Sequence, residues 1–202
     1  CLPDELPEDY RDGFAADVPL VESTRYLEYM HHQLADLGVQ QRPGFVHRLS
    51  DVKGDIVVNC TGLGARLLCG DEDVTPIRGV VVRTEAAPFD FSLADDEGPN
   101  ALAYIVPRSR DCVLGGFAQY GEESLDVREG EADDIIRRCA RLHPAVAELA
   151  IRDVLVGLRP GRTSVRVEVD PHAASAENDV AVVGLGGGGV CRSIRRQGDI
   201  IV

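Results

Sequence analysis

Two arginines stand three apart around a proline in Gly157-Leu158-Arg159-Pro160-Gly161-Arg162. Pro160 fixes the local backbone, and a guanidinium held beside it presents a planar fork that can grip a carboxylate through two parallel hydrogen bonds. In an acidic chain the same two residues serve equally well as structural salt-bridge partners, and the local sequence leaves both readings open. Tyr104, in Ala103-Tyr104-Ile105-Val106-Pro107, falls at the start of a strand, where its hydroxyl reaches either a pocket or the core. Gly184-Leu185-Gly186-Gly187-Gly188-Gly189 satisfies G-x-G-x-x-G directly after another strand, the pattern in which glycines let backbone approach a pyrophosphate. Only 13 residues follow Gly189, too few for a βαβ unit of about 30 residues. The run is therefore either a close approach of some other ligand to bare backbone or a glycine-rich turn with no ligand.

Other chemistries find little support. There is no G-x-S-x-G, and His31, His32, His47, His143 and His172 have no Ser or Cys partner at a diagnostic spacing. His31 and His32 are adjacent on a helix and point to different faces, which suits no shared metal. The six cysteines, Cys1, Cys60, Cys69, Cys112, Cys139 and Cys191, contain no C-x-x-C pair, so no metal site is expected and the thiols read as reduced core residues. Lys53 is the one lysine and lies in a turn. The acid clusters Asp71-Glu72-Asp73 and Asp95-Asp96-Glu97 read as solvated loops.

The elements that must position these groups follow from periodicity. Leu27, Met30, Leu34 and Leu37 follow helical spacing up to Gly38, and Ala132, Ile135, Ile136, Cys139 and Leu142 give a second stripe ending before Pro144. Strands are expected at 55–60, 79–84, 103–106, 112–114, 153–156, 164–169 and 179–183, with a hairpin connection through 107–111. The chain of 202 residues is 44% hydrophobic, enough for a core. Its 34 acids against 21 basic residues give a net charge of −13, which repels phosphate backbones and anionic lipid, so neither nucleic acid nor membrane is an expected partner. No apolar stretch approaches the roughly 18 residues of a membrane helix and no signal peptide opens the chain. An intracellular, soluble protein is expected.

Read in order, several segments resemble the D-amino-acid oxidase family of flavoproteins. They are Val57-Val58-Asn59-Cys60-Thr61-Gly62-Leu63-Gly64-Ala65, Pro76-Ile77-Arg78-Gly79, Ala103-Tyr104-Ile105-Val106-Pro107-Arg108, Leu114-Gly115-Gly116, and Gly157-Leu158-Arg159-Pro160 with Arg162. The resemblance implies an α+β fold: a substrate domain on a mixed, largely antiparallel sheet with flanking helices, plus a C-terminal strand and Gly-rich loop that belong to an FAD domain. The boundaries it implies are an irregular opening segment at 1–17, a helix and strand leading into an FAD-contacting turn at 18–62, the substrate-binding domain at 63–178, and the strand, loop and tail at 179–202. The implied reaction moves the α-hydride of a D-amino acid to the flavin, giving an imino acid that hydrolyses to a keto acid, while oxygen reoxidises the flavin to yield hydrogen peroxide. Arg159 matches the arginine that clamps the substrate carboxylate, and Tyr104 the tyrosine that assists there. Gly187 counts with them at the reacting centre. Val46, Thr61, Gly62, Arg159, Gly186, Gly187, Gly188 and Gly189 match positions against the cofactor.

Three departures shape the expectation. The family's N-terminal strand and G-x-G-x-x-G have no counterpart, so the chain reads as a C-terminal portion, inactive alone. A second tyrosine used by some members as a lid would fall near Asn100, which leaves substrate size open. The tail after Val190 departs from the usual helix, as a shifted reading frame or misplaced coding end would produce. D-aspartate oxidase, glycine oxidase and a non-catalytic gene remnant are the competing readings, with a homodimer and either a cytoplasmic or a peroxisomal location also implied. The final Ile200-Ile201-Val202 is not the S-K-L address.

Overall fold

Runs of β-branched and aliphatic residues set the strands, and apolar positions at helical spacing set the two longer helices. The computed structural model describes residues 1, 6–98, 101–169 and 179–184. In chain order the elements are α1 (Ser23–Asp36), β1 (Ile56–Asn59), α2 (Ala65–Leu68), β2 (Thr75–Thr84), β3 (Leu93–Asp95), β4 (Ala103–Pro107), β5 (Cys112–Gly115) and β6 (Gln119–Tyr120). α3 (Glu131–Leu142), β7 (Ile151–Gly161), β8 (Arg166–Val169) and β9 (Asp179–Gly184) complete them. The result is a mixed fold, rich in antiparallel sheet and poor in helix. It divides into two units, residues 1–44, 80–116 and 127–155 in the first and residues 45–79, 117–126 and 156–202 in the second. Strands β2 and β7 each contribute residues to both.

In the first unit β3, β4, β5 and β2 lie side by side and antiparallel, with Leu93 opposite Ile105, Tyr104 opposite Gly115, and Val81 opposite Gly115 on its other side. The β4–β5 hairpin forms as expected, and Arg108 closes it through two bonds to the Asp111 carboxylate of 2.6 and 2.7 Å. Helix α3 packs on β4 and β5. Its Ile135, Cys139 and Leu142 join Val80, Val82, Ala103, Ile105, Cys112 and Leu114 in one core, while Ala132 and Ile136 of the same stripe are half-buried. Three acids in the first turn of α3 complement the helix dipole, and Glu131 accepts the Arg128 amide at 2.9 Å. Helix α1 forms where its periodicity predicts, yet none of its residues is buried among the described residues, and Leu27 and Met30 of its stripe are exposed.

In the second unit β1 and β9 pair in parallel, Ile56 opposite Asp179 and Asn59 opposite Val182, and β8 adds antiparallel to β9. Leu49 and Val57, with Val52, Leu68 and Cys69 against them, form its small core. Two expectations need correction here. Asp71 is no solvated loop acid: it is 7% exposed and receives Arg166 at 2.9 Å and Arg162 at 3.3 Å, because a carboxylate leaving water must find cationic donors. The segment containing Arg159 is not a connection before a strand but part of β7, which pairs with β2; a strand at a sheet edge tolerates Pro160 there.

Smaller differences follow the same logic. Asp95, also read as solvated, is 6% exposed in the first unit and accepts from the Tyr10 hydroxyl and the Gly98 amide. Strand β2 begins at Thr75, four residues before the expected start, and β8 begins at Arg166, two after it. β3 and β6, of three and two residues, carry too little pattern to be read from sequence. Among the described residues no helix is long and apolar enough to cross a membrane, and no cluster of His, Cys, Asp and Glu is placed to hold a metal ion.

Candidate functional site

Arg159 and Arg162 part ways in the structure. Arg162 turns to Asp71 at 3.3 Å, to Asp73 at 3.4 Å and to the Ser164 carbonyl at 2.9 Å, which makes it a salt-bridge residue. Burial pushes the Asp71 carboxyl upward, but the Arg166 and Arg162 guanidiniums outweigh it and hold the group below the usual carboxylate range. Arg159 projects from β7 and is exposed. Its Nη2 donates to the Phe117 carbonyl at 2.8 Å. The guanidinium lies over Gly79 of β2, where an added Cβ would fall 2.9 Å from Nη2 and 3.3 Å from Cζ. Only a bare backbone leaves room for the fork at that height, so Gly79 belongs to the site although no role could be assigned to it from sequence.

The turn after β1 stands in the same unit, beside Pro160. Asn59, 2% exposed, accepts from the Thr61 amide at 3.1 Å and the Thr61 hydroxyl at 2.7 Å, and donates to Cys69 Sγ at 2.9 Å. This side-chain closure sets the turn that follows the strand. Gly62 then adopts φ +58°, a left-handed conformation that glycine enters without strain, and its missing Cβ would meet Pro160 Cγ at 3.7 Å. The structure thus places Gly62 against Pro160. Because β1 and β9 are parallel, the chain leaves both at one end of the sheet, the end where open α/β sheets bind ligands. A ligand at this end of the sheet would meet the left-handed turn at Gly62. Val46 lies in this unit and is 40% exposed. Gly186, Gly187, Gly188 and Gly189 lie outside the described residues.

Tyr104 belongs to the first unit. It is half-buried on β4, opposite Gly115 of β5, and its ring covers that glycine so closely that a Cβ there would fall 1.9 Å from Cζ and 2.3 Å from the hydroxyl oxygen. The Gly115 position is thus set by an aromatic ring, a relation the Leu114-Gly115-Gly116 motif signals but does not explain. The strand carrying Tyr104 is fixed from behind by α3, whose Cys139 Sγ lies 3.4 Å from both the Tyr104 and Gly115 carbonyls. Burial raises that thiol to about 11. Sequence reasoning missed Asn59, Gly79, Gly115 and the Phe117 carbonyl as members of these two clusters. An Asn ending a strand before Thr-Gly is a turn signal that could have found the first; a backbone carbonyl carries no sequence signal at all.

Comparison with known proteins gives the same direction. The chain matches the family described as FAD dependent oxidoreductase (DAO) over residues 3–194. It is 37% identical over 195 residues to the D-amino-acid oxidase of Rubrobacter xylanophilus, covering 96% of this chain and 60% of that one. It is 36% identical over 191 residues to the D-amino-acid oxidase of Dictyostelium discoideum, covering 92% and 54%. The D-aspartate oxidase of Homo sapiens shares 36% over 138 residues, covering 67% and 40%. The glycine oxidase structure from Geobacillus kaustophilus superposes with a TM-score of 0.53 at 22% identity, over 63% of this chain and 35% of that one, a likeness of fold. The chain therefore spans little more than half the length of its D-amino-acid oxidase relatives. A match from residue 3 to residue 194, supported by relatives above 30% identity across nearly the whole chain, makes this protein a member of the FAD dependent oxidoreductase (DAO) family.

Proposed function

We propose that this chain is the C-terminal, substrate-side portion of an FAD-dependent oxidase of D-amino acids, which yields a keto acid, ammonia and hydrogen peroxide. The observation that carries the reading is the exposed Arg159 guanidinium, seated over Gly79 and steadied by the Phe117 carbonyl beside the Gly62 turn. With one Nη2 hydrogen committed to that carbonyl, the other pairs with a neighbouring N–H of the fork to take the substrate carboxylate, and a permanently charged guanidinium holds it at any physiological pH. For Tyr104, in the first unit, the family resemblance supports the role of an assisting hydroxyl. Holding the carboxylate turns the α-hydrogen toward the acceptor, and this orientation is the main demand on the protein, because no general base is required. Val46, Thr61, Gly62 and Gly186 to Gly189 would hold FAD, which supplies the two-electron acceptor when bound.

The test is a peroxide assay on the FAD-loaded oxidase that contains this chain. D-alanine turnover with matching keto acid is expected, and Arg159→Ala raises KM for D-alanine by about a hundredfold, as loss of a charge-assisted bidentate grip demands. An unchanged KM would remove the clamp assignment. The 36% identity to a D-aspartate oxidase keeps acidic substrates in view, so the panel includes D-aspartate and glycine beside D-alanine, and the preferred one names the activity.

A further inference from the structure

Among the described residues Arg78 is the largest fully buried side chain, with no exposed surface, and it lies next to Gly79 in β2. From Arg78 onward burial alternates along this strand: Arg78, Val80 and Val82 are buried while Gly79 and Val81 are half-buried. Successive residues of a strand face opposite sides, so Arg78 points away from the side on which Arg159 covers Gly79. Its guanidinium directs donors from all three nitrogens to one stretch of chain: Nε to the Ser124 carbonyl at 2.9 Å, Nη1 to Gln119 Oε1 at 2.7 Å, and Nη2 to the Asp126 carbonyl. Arg78 and Gln119 are also ladder partners in the β2–β6 pair. The same stretch begins with Phe117, whose carbonyl steadies Arg159. Two arginines on opposite faces of one strand therefore hold a single segment, 117–126. Burying a guanidinium is costly unless its donors are met, and spending it on this segment makes the path of the segment a fixed feature of the fold.

We propose that Arg78 is a positioning residue for Arg159: by pinning segment 117–126 it sets the Phe117 carbonyl, and that carbonyl sets the guanidinium fork. The inference rests on the clamp reading above, and it adds a determinant of substrate affinity that touches no substrate. Gln119→Leu removes one acceptor and leaves the guanidinium otherwise satisfied, so it is the variant to use beside the harsher Arg78→Lys. Loss of one charge-assisted bond of this kind predicts a KM for D-alanine raised about tenfold in the FAD-loaded oxidase, with kcat within about twofold.

Two readouts separate this from a purely structural role. In an Arg159→Ala background the Gln119→Leu change is expected to leave KM where Arg159→Ala alone puts it, because the effect passes through the missing fork. Backbone amides of 117–126 are expected to exchange hydrogen faster in Gln119→Leu than in the parent, measured without substrate. If Arg159→Ala raises KM but Gln119→Leu raises it by the same factor in both backgrounds, or leaves it unchanged in the parent, the positioning role is overturned while the clamp stands. If exchange over 117–126 is unaltered in both Gln119→Leu and Arg78→Lys, Arg78 does not pin the segment and the role is likewise overturned. If Arg159→Ala itself leaves KM unchanged, the clamp reading fails and the inference falls with it.

Discussion

A glycine beneath a side chain is a different constraint from a glycine in a turn, and Gly79 and Gly115 are both of the first kind. At Gly79 the atoms an added methyl would meet are the far end of Arg159, at 2.9 Å from Nη2. A flexible arginine can swing aside, so Gly79→Ala is expected to cost less than about 1 kcal/mol of stability while displacing the fork. On the proposed function, KM for D-alanine in the FAD-loaded oxidase should rise by about tenfold with the melting temperature nearly unchanged; a variant whose KM matches the parent would show that the fork needs no seat on this backbone. At Gly115 the methyl would meet the Tyr104 ring at 1.9 Å, deep inside any tolerable contact. A ring pinned on a strand has nowhere to go, so Gly115→Ala is expected to destabilise the protein by about 1–3 kcal/mol, the usual cost of overpacking, and to lower kcat/KM with it. Chemical denaturation of the two alanine variants side by side measures the contrast, and equal losses would contradict it.

At the scale of elements, what the sequence made legible was whatever repeats. The α3 stripe put Ile135, Cys139 and Leu142 in the core, and the β-branched runs located β1, β4 and β5 to within a residue or two. Ile135 has no exposed surface, so Ile135→Ala is expected to cost about 3 kcal/mol, and a thermal midpoint within a degree of the parent would refute the packing described for α3. The missed features are those that tertiary contacts decide. Gly157 and Pro160 look like strand breakers locally, yet pairing with β2 carries β7 through both, so Arg159 lies on a strand that the sequence pattern ended at Val156. Asp71 and Asp95 sit in acid runs that resemble solvated loops, and only partners distant in sequence, Arg162 and Arg166 for one and Tyr10 for the other, reveal them as buried. For the site, Arg159, Tyr104, Thr61 and Gly62 were legible as residue types in ordered motifs. The seat beneath each side chain was not, because it is made of backbone.

At the scale of the whole molecule, acid dominates, and the arginines answer it through a few paired carboxylates, Asp71 and Asp111 buried and Asp134 half-buried, whose titration should govern stability. Asp71 is driven up by burial and down by Arg166 and Arg162, with the arginines prevailing. Asp111 is drawn down first by its hydrogen bonds from Arg108, against burial. Asp134 is raised by burial and lowered further by Arg137 and Arg138. All three therefore lie lower in the folded chain than in the unfolded one, where an aspartate titrates near about 4. The unfolded chain then binds more protons over that range, so stability rises with pH: the contribution is complete above about pH 4 and disappears as pH falls through the lowered folded values. The net charge of −13 works the other way from pH 7 toward 5, since protonating exposed acids relieves self-repulsion. The expected profile is a melting temperature level or slightly rising from pH 7 to 5, then dropping steeply below about 4. Asp71→Asn should lower the melting temperature at pH 7, where breaking this network costs about 2–3 kcal/mol, and should flatten the acid limb because one of the linked protons is gone. Circular dichroism melts of parent and variant across pH 3 to 7 decide it: parallel acid limbs would mean that Asp71 is not one of the groups that couples folding to protons.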